Sequence, residues 1–232
     1  VHVPDRRDWP RVVLCGVLGF AIYALLVNYG EMHVTAGIAS FVVYTVPLFT
    51  AIFASLFLRE RLGIFGWTGL AVSLAGTALL AFSTNQQLRF EPGVITLLAA
   101  AVALALYFIL QKPLVKRYGA FNVTSWAVWI STACLAPLIP QALKAAHMAP
   151  LASTMSAVYL GVFPTVVAYS TWAFAVARLP VARTAACLYF VPGVATFIGW
   201  LLLGEHPTPL GLVGGLVAMG GVAFSNLSPK GR

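Results

Sequence analysis

The sequence predicts an all-α polytopic membrane protein. Eight transmembrane helices are expected, part of a ten-helix fold made of two inverted five-helix repeats. Three observations lead there. The first is composition: of 232 residues, 60% are hydrophobic and 9% are charged, against about 45–50% and about 25% in soluble domains. So few charges cannot cover a water-facing surface, which excludes soluble enzymes, nucleic-acid binders and disordered tails. The second is the spacing of eight apolar stretches, each close to the roughly 20 residues that cross a bilayer. The third is self-similarity, because the chain matches itself when shifted by 145 residues.

The stretches fall at about 11–30, 34–58, 63–82, 93–111, 122–143, 155–177, 181–203 and 208–226. Polar or Gly/Pro-containing breaks separate them. The run from 94 to 110 (VITLLAAAVALALYFIL) is apolar on every face and rich in Ala and Leu. A membrane β-barrel strand would instead alternate over about ten residues. A helix satisfies its own backbone in lipid, so helix is the reading throughout. Residues 1–10 form a loop, 83–92 a loop on the opposite face, and 227–232 a tail.

The net charge of +8 is explained by topology rather than by nucleic acid. If the helices alternate, one face receives Arg6, Arg7, Arg11, Arg59, Arg61, Lys112, Lys116, Arg117, Arg178, Arg183, Lys230 and Arg232. The other receives only Arg89 and Lys144. One helix more or fewer would scramble this bias. The basic face is therefore cytoplasmic, and both ends of the chain lie there. Cys15, Cys134 and Cys187 sit singly in apolar runs and suggest neither disulfides nor a metal site.

The 145-residue shift aligns Tyr44 with Tyr189, Pro47 with Pro192, Leu58 with Leu203 and Glu60 with Glu205. It also aligns Gly66, Gly69 and Gly76 with Gly211, Gly214 and Gly221, with no gap. The second and third helices thus repeat as the seventh and eighth, and the first repeats as the sixth. The repeat unit holds five helices. Five is odd, so the copies insert with opposite orientation, a signature of secondary transporters. Residues 11–82 are the last three helices of the first copy, and 93–226 are all five of the second. Two helices are expected to precede residue 1 in a parent protein.

Residues 35–82 and 181–225 share a proline inside the fourth helix of the unit, an L-x-E at its end and spaced glycines in the fifth. In this pattern the chain resembles the EamA domains of the drug/metabolite transporter superfamily, over essentially its whole length. The resemblance implies ten helices in two inverted halves around a central cavity, and movement of small metabolites, often outward. It also implies that the last helix of each half lies away from the cavity.

Pro47 and Pro192 each remove a backbone donor in mid-helix and predict kinks at symmetric places. Glu60 and Glu205 lie at helix ends. They read as structural carboxylates holding the N-terminus of the next helix, where exposed amides favour an anion. No helix centre carries Asp, Glu, Lys or Arg, which argues against a buried proton relay, a metal or catalysis. Recognition falls to neutral and aromatic groups. The cavity candidates are Tyr23, Asn28, Tyr44, Tyr107, Gln111, Tyr169, Trp172 and Tyr189. Such a lining suits a small zwitterion or flat metabolite. The alternative for any one of them is an interfacial aromatic belt. Small-xxx-small spacings such as Gly211–Gly215 and Ala71–Ala75 serve either a homodimer face or packing within one protomer.

The functional reading is a secondary transporter, an exporter of small metabolites such as amino acids or drug-like compounds, working by alternating access in a bacterial inner membrane. It needs no cofactor and no metal; its partners are a small-molecule substrate and lipid, with no nucleic acid. The other reading is a non-transporting scaffold or regulatory subunit derived from the same fold.

Overall fold

The computed structural model describes residues 3–82, 92–203 and 208–226. These are predominantly helical, with no strand among the described residues. Among the described residues seven helices are long and apolar enough to cross a membrane. They are α1 (Trp9–Glu31), α2 (Ala36–Phe57), α3 (Ile64–Phe82), α4 (Pro92–Tyr118), α5 (Ala120–Met148), α6 (Leu151–Arg178) and α7, which runs from Val181 to Leu203. The shorter apolar helix α8 spans Pro209–Asn226. The protein is thus a polytopic, all-α membrane protein.

Several helices outrun their sequence limits. α4 continues through Pro113 to Tyr118. Extension by one or two turns costs little where the flanking residues are good helix formers. α5 tightens into a single 3₁₀ turn at Ala136–Leu138 and then runs on to Met148. Prolines at 137 and 140 mark that change of pitch.

Contacts divide the chain into two units. The first comprises residues 3–22 and 110–179. In it α1 packs on α5 through Gly16, where a methyl group would stand 2.8 Å from the Ala127 carbonyl and from Ile130. Trp9 meets Trp126 edge-on at 5.1 Å. Much of α5 beyond Ser131 and of α6 before Tyr169 is exposed, as suits helices whose solvent is lipid.

The second unit comprises residues 23–109 and 180–226. Ile38, Ala39 and Val42 of α2 form a core with Val94 and Leu97 of α4, flanked by Val27 and Val34. The closest packing joins α3 to α8. Ser73 donates its hydroxyl to the Ala218 carbonyl at 2.9 Å, a pair separated by 145 residues. On one side of that pair Gly69 faces Gly221 and Ser225; on the other, Gly76 faces Gly214 and Ala218. The order of these contacts makes the two helices antiparallel. Gly69, Gly76, Gly214 and Gly221 are therefore occupied within the chain, where they let two backbones touch.

One backbone feature yields a prediction. Arg59, just past α2, holds φ at +54°, in the left-handed region. That conformation costs an L-residue about 1–2 kcal/mol. The repeat puts Gly204 at the corresponding place, the residue type that tolerates it. Arg59→Gly is expected to raise stability by about 1 kcal/mol, read as a higher unfolding midpoint in detergent. An unchanged or lower midpoint would show that the arginine side chain contributes more than its backbone strain costs.

Candidate functional site

Among the described residues five helices are interrupted along their span, and four of the interruptions, all but the 3₁₀ turn of α5, pair up under the 145-residue shift. In α2, Pro47 has no N–H for the Val43 carbonyl, and its ring crowds that turn. The helix stops at Val43, passes Tyr44 and Thr45, and restarts at Val46 with Pro47 in its first turn. A missing donor costs nothing at that position. Thr45 N–H and Oγ1 both donate to the Val42 carbonyl, at 3.0 and 2.6 Å. In α7 the helix tightens into a 3₁₀ turn at Cys187–Tyr189 and restarts at Phe190, with Pro192 in the new first turn. Short breaks thus lie about one turn ahead of Pro47 and Pro192. A tyrosine sits at each break.

The other pair is α1 and α6. α1 widens into π-helix at Val17–Ile22, and α6 does so at Pro164–Ala168. Gly19 of α1 stands where the repeat puts Pro164 of α6. π-turns and broken helices loosen the backbone hydrogen-bond ladder, and they are frequent at functional sites. At membrane depth such backbone is tolerated where protein or a cavity surrounds it.

In the second unit Tyr107 and Tyr189 are fully buried. Tyr23 and Tyr44 are half-buried and lie within electrostatic reach of one another. The Tyr189 hydroxyl has no hydrogen-bond partner among the described residues. Asn28 is exposed, and its Nδ2 donates to the Ala24 carbonyl of its own helix at 2.7 Å. In the first unit Gln111 is 0% exposed, and neither its amide nitrogen nor its oxygen finds a partner among the described residues. Tyr169 and Trp172 are half-buried on the part of α6 that packs against α5. Tyr169 rests on Phe20 with ring centroids 4.5 Å apart. Sequence reasoning did not single out Thr124, whose buried hydroxyl also has no partner among the described residues. A single threonine in an apolar run carries no signal of its own.

Glu60 accepts from the backbone N–H groups of Val181 and Ala182, at 3.0 and 3.2 Å. The carboxylate therefore holds the start of α7. The first amides of a helix have no acceptor of their own, and Pro180 provides no side-chain cap. Glu205 lies outside the described residues.

A groove of about 610 Å³ opens between α7 and α8, lined by Gly193, Phe197, Trp200, Gly215 and Leu216 among others. It contains none of the eight cavity candidates. The 145-residue shift pairs Leu48 and Leu70 with Gly193 and Gly215, two small residues that leave room in this groove. Phe197, Trp200 and Leu216 are 57%, 50% and 70% exposed, so the groove is open to the outside. Among the described residues no group of three His, Cys, Asp or Glu side chains could hold a metal ion.

Membrane-spanning helices broken in mid-span, carrying phenols and an amide at depth in place of charges, define a polytopic membrane transporter. The chain belongs to the EamA-like transporter family, matching it over residues 2–82 and 91–227. It is 40% identical over 232 residues to a "probable terminal-alkyne amino-acid exporter" of Streptantibioticus cattleyicolor, covering all of this chain and 78% of that protein. It is 37% identical over 227 residues to the uncharacterized transporter YdfC of Bacillus subtilis, covering 98% and 74%. A "probable amino-acid metabolite efflux pump" of Salmonella typhimurium is 27% identical over 235 residues, with 92% and 77% covered. A solved crystal structure superposes with a TM-score of 0.80 over 99% of this chain and 81% of its own, at 21% identity. That similarity shows the fold.

Proposed function

We propose that the protein exports small amino-acid-like metabolites by alternating access, with eight spans drawn from a ten-helix inverted repeat and both ends cytoplasmic. Two relatives whose names specify amino acids or their metabolites support the substrate class. The reciprocal packing of α3 on α8 supports the inverted repeat. Gly69 meets the counterpart of Gly76, Gly76 meets the counterpart of Gly69, and Ser73 meets its own counterpart, Ala218. Contacts of that form arise about a two-fold axis.

The observation that carries the site is the buried, unpartnered polar group. Leaving a buried amide or hydroxyl unsatisfied costs about 1–3 kcal/mol. Such a cost persists where a ligand supplies the missing bonds. Substrate contact is assigned separately within each unit, to Gln111 in the first and to Tyr189 in the second. Neutral donors and acceptors with aromatic faces, and no fixed charge, suit a zwitterion that carries its own compensating charges. In this reading the breaks beside Tyr44 and Tyr189 let α2 and α7 bend during exchange.

The test is counterflow of radiolabelled amino acids into liposomes carrying the full chain. Substrate-dependent flux and a substrate-induced rise in melting temperature are expected. A stable protein with neither is the outcome that favours a scaffold. Gln111→Leu sharpens the test. Replacing a partnerless amide by an isosteric apolar group removes its desolvation cost. The variant is expected to melt at the same temperature or higher, while flux falls at least about tenfold, the equivalent of roughly 1.4 kcal/mol of lost binding. A lower melting temperature with flux retained would make Gln111 a structural amide.

A further inference from the structure

The approach to α1 carries a cluster of charges that the transport site does not use. Arg117, in the last turn of α4, donates through Nη1 to Asp8 Oδ2 at 2.6 Å. Its Nη2 donates to the Asp5 carboxylate. The neighbouring Tyr118 hydroxyl donates to the same Asp8 oxygen at 2.7 Å and accepts from the Asp5 backbone N–H at 3.1 Å. The guanidinium carbon lies 5.3 Å from the Tyr118 ring centroid. Two carboxylates, one guanidinium and one phenol thus close a ring of hydrogen bonds between the segment before α1 and the end of α4.

Three features separate this ring from ordinary surface pairing. It is concentrated: Arg117 engages both carboxylates in the forked geometry that favours Arg over Lys. Its outer pair is reversible: the Arg117 and Asp5 side chains are 56% and 60% exposed, whereas Asp8 is 14% exposed and anchors the ring. Breaking and remaking the outer pair therefore carries little desolvation cost. It is also asymmetric with respect to the repeat. The shift by 145 puts Pro150 and Ser153 where Asp5 and Asp8 stand, so the second copy cannot form the same ring. The ring joins a segment of the first copy to a helix of the second, at the basic face.

We infer that Asp5, Asp8, Arg117 and Tyr118 form a latch that fastens the two copies together at the cytoplasmic end and opens once in each transport cycle. This rests on the inverted-repeat and topology reading above. Because Pro150 and Ser153 cannot form its counterpart, the latch biases the resting protein toward the state closed on the cytoplasmic side. Opening requires no change in protonation, only exchange of the ion pairs for water.

The test uses Cys15, which is fully buried on α1 two turns beyond Asp8. In the full chain with Cys134 and Cys187 replaced by serine, reaction of Cys15 with a membrane-impermeant maleimide reports release of the start of α1. Arg117→Glu is expected to raise the labelling rate at least about tenfold, and the charge-swapped pair Asp8→Arg with Arg117→Asp to return it near the parent rate. Raising salt to about 1 M should accelerate labelling of the parent, where it screens an attraction, and slow that of Arg117→Glu, where it screens repulsion among three carboxylates. An unchanged labelling rate in a folded Arg117→Glu variant, or a parent rate indifferent to salt, overturns the latch. Labelling needs no substrate, so absence of flux in the parent protein sinks the transport reading and leaves this result standing.

Discussion

Gly221→Ala is expected to destabilise the protein by about 3 kcal/mol or more, while Gly220→Ala, one residue away, is expected to stabilise it slightly. A methyl group on Gly221 would stand 2.6 Å from both the Gly69 carbonyl oxygen and the Ser73 nitrogen. Both are backbone atoms of α3 and cannot rotate aside as a side chain would. Relief requires the two helices to separate along their whole contact. That would stretch the hydrogen bond from Ser73 to Ala218 and loosen Gly76 against Gly214. Overpacking a close interior costs about 1–3 kcal/mol where flexible neighbours can move, so a backbone clash belongs at or beyond the top of that range. Gly220, by contrast, has nothing within 4 Å of such a methyl group. There the substitution only removes the helix penalty of glycine, about 0.5–1 kcal/mol. Thermal unfolding of both variants in the same detergent is the measurement. Similar shifts for both would show that α3 and α8 are not in backbone contact. Membrane association has little hydrophobic drive of its own, which is why close approach matters so much here.

Glu60→Ala is expected to cost about 3 kcal/mol, and Glu60→Gln about half of that. The carboxylate accepts from two amides at the start of α7, Val181 at 3.0 Å and Ala182 at 3.2 Å. Hydrogen bonds to a charged group are worth about 1.5–3 kcal/mol each, and an anion at a helix N-terminus gains a further fraction from the dipole. Alanine removes both acceptors and the charge. Glutamine keeps one oxygen and loses the charge, so it leaves one amide without an acceptor. The order of melting temperatures should be wild type, then Gln, then Ala. Equal melting of all three would mean that water satisfies these amides as well as Glu60 does. Any loss of flux in the alanine variant should track its stability, because Glu60 acts through the position of α7.

What the sequence offered for a candidate site was chemistry and symmetry. Tyr44 and Tyr189 stood out because a fixed shift pairs them, and both lie where a proline-containing helix breaks. Gln111 stood out because an amide in an apolar run is conspicuous. What the chain did not disclose was each side chain's surroundings. Asn28 was as conspicuous as Gln111, yet it is exposed and bonds its own helix, while Gln111 is buried. Thr124 looked like any helical threonine and proves to be buried without a partner among the described residues. Nor did the chain disclose that Glu60 reaches the start of α7, more than a hundred positions away, because a carboxylate at a helix end announces a need for donors but not which donors meet it.

Composition and the lengths of apolar runs alone determine that this is a many-helix membrane protein. Whether a segment enters lipid depends on its own transfer energy, which is a local sum over residues. The repeat is likewise legible, since similarity under a shift needs no coordinates. Tertiary structure alone decided that the glycine faces of α3 and α8 meet each other, that α7 starts on Glu60, and that Arg117 reaches back to Asp5 and Asp8. Lipid is as apolar as the helices it surrounds, so no hydrophobic stripe marks which face seeks protein. That choice rests on shape and on a few polar bonds between residues more than a hundred positions apart, which only the folded chain brings together.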